Sequence, residues 1–218
     1  MIEFYFATSN EHKIIEASAA LSQYGIKAIP FSGAKKLEIQ HVNLEEIAST
    51  ALAIVVQSTQ DPVFVEDSGL FIHTLNGFPG PYSSYVFDTI GIEGVLKLME
   101  GAKTRKAEFR SSVAFGVAGR HVATFSSVTE GTIQLQPRGD KGFGFDPIFV
   151  PMWYQKTFAE MGLKEKSIYS HRAKALSKLA LWYLNESKKK GFPDTGLSDT
   201  RRPRKRARPP NSHVSTLR

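Results

Sequence analysis

MIEFYFATSNEHKIIEASAALSQ (residues 1–23) changes its pattern halfway. Residues 2–7 are apolar or aromatic apart from Glu3, and a strand is read over 2–8. Thr8, Ser9 and Asn10 interrupt it. From residue 11 the apolar positions recur at helical spacing, so a helix is expected over 11–23, burying Ile14, Ile15, Ala17 and Leu21, with the small Ser18 able to join them. A strand that passes through a short polar turn into a helix opens an α/β chain. One residue sits oddly in it. Lys13 lies in the first helical turn, where the helix dipole disfavours a cation by roughly 0.3–1 kcal/mol.

The alternation continues outward. IKAIPF (26–31) reads as a short second strand, and NLEEIASTALAIVVQS (43–58) as a helix with Leu44, Ile47, Ala48, Ala51, Ile54 and Val55 on one face. Asn43 is its expected N-cap, with Glu46 three residues on. PVFVEDSGLFI (62–72) is a strand that arrives at two acids, and NGFPGPY (76–82) is a Gly/Pro turn cluster. Residues 84–99 are expected to be helical. Residues 106–118 and 121–135 are expected to pair as strands around a Gly119-Arg120 turn. Residues 139–151 read as loop and short strand, and 156–187 as helix with a break near Ser170. There is no internal repeat. The expected fold is α/β.

Composition bounds the function. The 218 residues hold no cysteine, which excludes disulfides and thiolate metal sites and agrees with a reducing compartment. No apolar run approaches the roughly 20 residues of a membrane span, and no signal-peptide layout is read at the N-terminus. The formal charge is +7, yet ten of the 28 basic and two of the 21 acidic residues lie in 188–218. Residues 1–187 are therefore nearly neutral and read as the folded domain. The Pro/Arg/Ser-rich stretch 188–218 is expected to be a disordered basic tail, whether native or a read-through. A nucleic-acid-binding arm is the other reading of that tail. Nothing in residues 1–187 adds a nucleic-acid surface to it.

A second helix start repeats the oddity of Lys13. In YSHRAKALSKLALWYL (169–184), Ser170 is a plausible N-cap and is followed at once by His171 and Arg172. The apolar face is Ala173, Leu176, Leu179, Ala180, Tyr183 and Leu184. An anion at each start would reverse the unfavourable sign, and two such starts point to a polyphosphate. A polyphosphate commonly brings Mg2+, which needs hard oxygen ligands. Glu66 and Asp67 supply carboxylates at a strand end, where open α/β sheets place their crevice. Their side chains alternate, with Asp67 on the face of Val63 and Val65. Glu38 in LEIQ and Asp146 in FGFDP are further carboxylates among apolar neighbours, each alone as easily structural. In GFGFDP, Phe143 and Phe145 are placed to flank a flat base, with Gly142 and Gly144 allowing close approach. Two core phenylalanines would give the same pattern. The segment is not a dinucleotide fingerprint, no Walker A motif occurs, and His12, His41, His73, His121 and His213 have no metal-ligand spacing.

TSNEHK (8–13), EIQ (38–40), EDSGLFIHTLNGFPGPYS (66–83), GFGFDPIF (142–149), KTFAEM (156–161) and EKSIYSHRAKAL (165–176) occur in order. Together they make residues 1–187 resemble the inosine triphosphate pyrophosphatase family. The resemblance implies an elongated mixed β-sheet with flanking helices and two lobes around a central cleft. It implies Mg2+-dependent hydrolysis of non-standard purine nucleoside triphosphates (ITP, dITP, XTP) to monophosphate and pyrophosphate. It further implies a cytoplasmic homodimer. Thr8, Ser9, Asn10, Glu11, His12 and Lys13 fall on the family's substrate loop, with Thr8, Asn10 and Lys13 on its phosphate binders. Glu38 and Asp67 fall on its metal ligands, Asp67 also as the base that positions water. Ser68 falls on a phosphate contact, and Phe143, Gly144, Phe145 and Asp146 on the base pocket. Lys166, His171 and Arg172 complete the base and phosphate contacts. This chain has Glu66 where many members have aspartate, and Phe145 where many have Tyr or Trp. A Maf-type nucleotide pyrophosphatase would lack TSNEHK and SHR. A purely structural α/β module would leave both cationic helix starts unexplained.

Overall fold

The structure is a computed structural model that describes residues 2–33 and 39–189. Strand β1 (Ile2–Phe6) buries Phe4 and Phe6 completely. It stops where the Asn10 side chain turns to accept the backbone N–H of Lys13 at 3.1 Å, and helix α1 (Glu11–Ser22) begins. The buried side of α1 is Glu16, Ala17, Ala20 and Leu21, rotated from the expected stripe. Ile15, expected inside, is 51% exposed, and a glutamate takes the inward position instead. Strand β2 (Ile26–Pro30) follows, then helix α2 (Leu44–Val55), whose cap Asn43 accepts the N–H of Glu45 at 2.8 Å. Its last residues tighten into a 3-10 turn at Val56–Ser58, and Leu52 is fully buried where Ile54 was expected.

The remaining strands are β3 (Val63–Ile72), β4 (Pro79–Gly80), β5 (Lys106–Val117), β6 (Arg120–Ile133) and β7 (Phe149–Pro151). The sheet is mixed, in the order β2-β1-β3-β5-β6-β7, with β4 beside β3. Strands β2, β1 and β3 run parallel, and every pairing from β3 onward is antiparallel. The β5–β6 hairpin turns on Ala118 and Gly119, one residue earlier than expected, with φ of 54° and 73°. Two central residues of positive φ match the right-handed twist of the flanking strands. The helix expected over 84–99 is two, α3 (Ser83–Thr89) and α4 (Gly91–Leu98), divided at Gly91 with φ of 64°. The segment expected over 156–187 is a 3-10 turn (Phe158–Glu160), α5 (Leu163–Tyr169) and α6 (His171–Glu186). Ser170 breaks α5 from α6 and caps α6 by accepting from Ala173 N at 3.1 Å.

The edge of β3 creates the cleft. Strand β1 pairs with β3 only at Tyr5↔Val63 and Phe6↔Phe64, and β4 pairs only at Leu70↔Gly80 and Phe71↔Pro79. Between Phe64 and Leu70 that edge carries no strand. Apolar packing divides at the same place. One cluster joins Phe4, Phe6 and Phe64 to α1 and α6, and a second joins Val63 and Val65 to α2 on the other face. A third lies farther along β3 and β5, where Leu70, Ile72 and Phe109 pack with Val86, Val95, Phe149 and Phe158. The sheet thus spans two packed regions with an interruption between them.

Gly69 shows how tightly β4 closes the far side. A Cβ there would lie 2.1 Å from the Gly80 carbonyl oxygen, closer than any real contact. Gly69→Ala is expected to cost about 1–3 kcal/mol of stability by overpacking, measured as a lower urea midpoint at unchanged slope. A variant as stable as the parent would show that the β3–β4 pair yields freely.

Candidate active site

Six ionisable side chains of alternating sign run beneath the interruption. Lys13 Nζ lies 2.9 Å from Glu66 Oε2, and Arg172 Nε lies 3.1 Å from Glu66 Oε1. Arg172 Nη1 donates to Glu16, and Lys166 Nζ donates to the same carboxylate at 2.6 Å. Lys166 also donates to Asp146. The ladder therefore reads Lys13, Glu66, Arg172, Glu16, Lys166, Asp146. It ties together α1, β3, α6, α5 and the loop before β7. Arg172 Nη2 reaches Ser68 Oγ at 2.7 Å, and Ser111 Oγ donates to Glu66 at 2.7 Å. The cations at both helix starts are thus answered first by the protein's own carboxylates. Glu16 and Ser111 escaped the sequence reading, because a glutamate inside an amphipathic helix and a serine inside a strand look solvated until the partners are known.

Above the ladder is a cleft of about 970 Å³. Of the expected site residues, Thr8, Ser9, Asn10, His12, Lys13, Asp67, Ser68, Phe143, Gly144, Phe145, Asp146, Lys166, His171 and Arg172 line it. Glu11 is exposed and not on that wall, and Glu38 lies outside the described residues. Ser83, at the end of the quoted 66–83 motif, also lines it, as do Ser84, Phe87 and Asp88, which carried no sequence signal. The expectation that Glu66 and Asp67 end a strand is corrected. Strand β3 runs on through both, and the crevice opens because β1 stops beside them. Asp67 is on the cleft wall, while Glu66 is buried below it with its side chain fully covered.

The two phenylalanines expected to flank a base both line the cleft but are placed differently. The Phe145 ring is buried in the third cluster and meets Phe87 edge-on, 5.5 Å between centroids at 88°. Phe143 is half-buried, and its ring lies parallel to His12, 5.1 Å away at 12°. The loop that holds Phe143 closes on Asp146, whose Oδ2 accepts the Phe143 N–H at 2.9 Å. Gly142 holds a φ of 73° that L side chains rarely adopt, and a Cβ there would lie 2.1 Å from that oxygen. His171 stacks flat on Phe109, 4.7 Å away at 8°.

The ladder sets the charges. Burial alone would raise Glu66 and Glu16, but the Arg172 charge, with Lys13 at one and Lys166 at the other, holds both below the usual carboxylate range. Burial raises Asp146, and the nearby Glu16 charge outlasts part of what Lys166 takes back. Burial, then the Arg172 charge, keeps the His171 imidazole well below its ordinary range, so it is neutral at pH 7. Glu16 is ordinarily half-protonated at pH 4.5, and its folded value is lower. Its stabilisation is therefore complete above that pH and lost as pH falls through the folded value. Glu16→Gln is expected to cost about 3–5 kcal/mol near neutral pH, as removal of one partner from a buried ion pair does. It should also flatten the loss of stability below pH 4.5. Urea unfolding across that range measures both effects, and a variant as stable as the parent at pH 7 would remove Glu16 from the ladder's support.

Known proteins share this architecture. A family model described as Ham1 family matches residues 4–182. A dITP/XTP pyrophosphatase of Methanopyrus kandleri is 51% identical over 180 residues, covering 83% of this chain and 95% of that protein. One of Pyrococcus horikoshii is 45% identical over 181 residues, covering 83% and 96%. The solved structure of a HAM1 protein from Coxiella burnetii superimposes with a TM-score of 0.73 at 32% identity, covering 85% of this chain and all of that one. Motifs, mixed sheet and cleft agree with these matches, and the chain belongs to the Ham1 family.

Proposed function

We propose that this protein hydrolyses non-standard purine nucleoside triphosphates, dITP, ITP and XTP, to the monophosphate and pyrophosphate. The observation that carries the reading is one cleft that holds Thr8, Asn10, Lys13, Asp67 and Ser68 together with the ring of Phe143. The relatives named dITP/XTP pyrophosphatase support the substrate class.

The donor set fits magnesium. Mg2+ takes one or two carboxylates and completes its shell with water and substrate phosphates. Asp67 brings a carboxylate to the cleft wall, and Glu38 is the second ligand that the family resemblance implies. Among the described residues no group of three or more His, Asp or Glu gathers to cage a metal, so the remaining ligands would come from the nucleotide. Charge balance argues the same way. Lys13, Lys166 and Arg172 are each matched to a carboxylate, and a triphosphate needs further positive charge. A magnesium ion, which Asp67 and Glu38 would hold, would supply that charge.

The chain's own groups do the rest. Thr8, Asn10 and Lys13 bind phosphate at the start of α1, where free N–H groups favour an anion. Asp67 orients a water toward the α-phosphorus and takes its proton. The water oxygen bonds to that phosphorus, the bond to the bridging oxygen breaks, and pyrophosphate leaves with its charge facing Lys13. Lys166 and Arg172 stand beside Phe143 at the base end. A 6-amino base would leave a donor in the pocket unpaired, which disfavours adenine. The working form is a homodimer in the cytoplasm. No helix among the described residues is long and apolar enough to cross a membrane. The tail 188–218, almost wholly outside the described residues, plays no part in catalysis.

Hydrolysis of inosine and adenosine triphosphates with Mg2+, scoring pyrophosphate apart from orthophosphate, tests this. Pyrophosphate should be released mainly from the inosine nucleotide, and Asp67→Asn should lower kcat by at least about 100-fold, as loss of a general base does. Orthophosphate release, or equal use of both nucleotides, would contradict the pocket assignment. Deleting 188–218 should leave the activity in place.

A further inference from the structure

Phe143 has three polar or aromatic neighbours at its ring. Lys166 Nζ lies 5.3 Å from the ring centroid and Arg172 Cζ lies 5.5 Å from it. Both cations are locked. Lys166 is 4% exposed and Arg172 2%, and each is held by two carboxylates. The third neighbour is His12, parallel to the ring at 5.1 Å and exposed to solvent. Its backbone is fixed in the first turn of α1 by the Asn10 cap, but its side chain has no hydrogen bond among the described residues to hold it. Of the three, only His12 can yield.

We propose that His12 is the second face of the base site, a solvent-exposed ring that moves off Phe143 to take a purine between them. This rests on the nucleotide reading above and replaces the Phe145 partner expected from the sequence. Phe145 is buried and packed edge-on against Phe87, so it cannot face Phe143 across a base. The spacing states what must move. A base in contact with a ring on each face needs the rings roughly 7 Å apart, two contacts of about 3.5 Å. The observed 5.1 Å is too small by about 2 Å, a distance that a single rotamer change of an exposed side chain covers. Moved aside, the imidazole gives the base a second face. Stacking is indifferent to which purine enters. His12 therefore adds affinity for the base, and the polar groups discriminate.

The test compares His12→Ala and His12→Tyr with the parent. Steady-state hydrolysis of inosine triphosphate gives KM and kcat, and inorganic tripolyphosphate as a competitive inhibitor reports the phosphate end alone. His12→Ala should raise KM about 10-fold, within the range of one lost base stack, with kcat moving far less. His12→Tyr should bring KM back to within about threefold, because an aromatic ring is restored. The inhibition constant of tripolyphosphate should stay put. A KM that is unchanged or lower in His12→Ala overturns the proposal, since the imidazole would then be idle or a competitor of the base. An equal loss of affinity for tripolyphosphate overturns it too, by moving His12 to the phosphates. A parent enzyme that releases no pyrophosphate from inosine, deoxyinosine or xanthosine triphosphate would sink the functional reading instead. Equilibrium binding of inosine monophosphate to parent and His12→Ala then decides the stacking role by itself, with weaker binding to the variant upholding it and equal binding refuting it.

Discussion

Six ionisable groups share one line, five of them buried, and no buried member would be tolerable without its partner. An isolated charge moved out of water costs several kcal/mol even after relaxation, and its partner returns that only where the geometry is close. The line from Lys13 to Asp146 meets this condition by alternating sign at every step. Its members come from α1, β3, α5, α6 and the loop before β7, so the ladder cannot form until all of these are in place. The fold and the site are in this respect one object. Side chains that line the cleft are among the ones that tie α1 to α5 and α6.

The cost of such an arrangement is visible around it. Asp146 is pushed up by burial, and His171 is kept neutral by burial and by the charge on Arg172. Apolar residues of similar volume would often be more stable than a buried ion pair. The ladder is better understood as a positioning device. It sets the Arg172 guanidinium against Ser68 and holds the Lys13 ammonium within reach of the cleft. It also places two cations beside the Phe143 ring, where the negative face of the aromatic system adds to their support.

The sheet contributes by what it leaves out. A parallel pair that ran the full length of β3 would have covered Glu66 to Gly69. Strand β1 ends after Phe6 because Thr8, Ser9 and Asn10 divert the chain into a helix cap, and β4 resumes pairing only at Leu70. The short polar turn that opens α1 therefore also opens the cleft. The helix cap and the gap are consequences of the same three residues.

Local chemistry was legible in the amino-acid order. Strand and helix periodicity, the caps Asn43 and Ser170, and the two cationic helix starts could all be read from neighbours a few positions apart. The motif order placed the chain in its family, and most of the residues it singled out line one cleft. What could not be read were the pairings. Glu16 meets Lys166 across 150 positions and Arg172 across 156, and no periodicity relates residues so far apart. The exposure of Ile15 in place of Glu16, the burial of Phe145 and the stacking of His12 on Phe143 follow from which element packs against which. Sequence by itself determined most of the elements and the charges they carry, but not all of their ends. The tertiary structure decided which charges meet, because the energy of a buried ion depends on the few ångströms around it and not on its place along the chain.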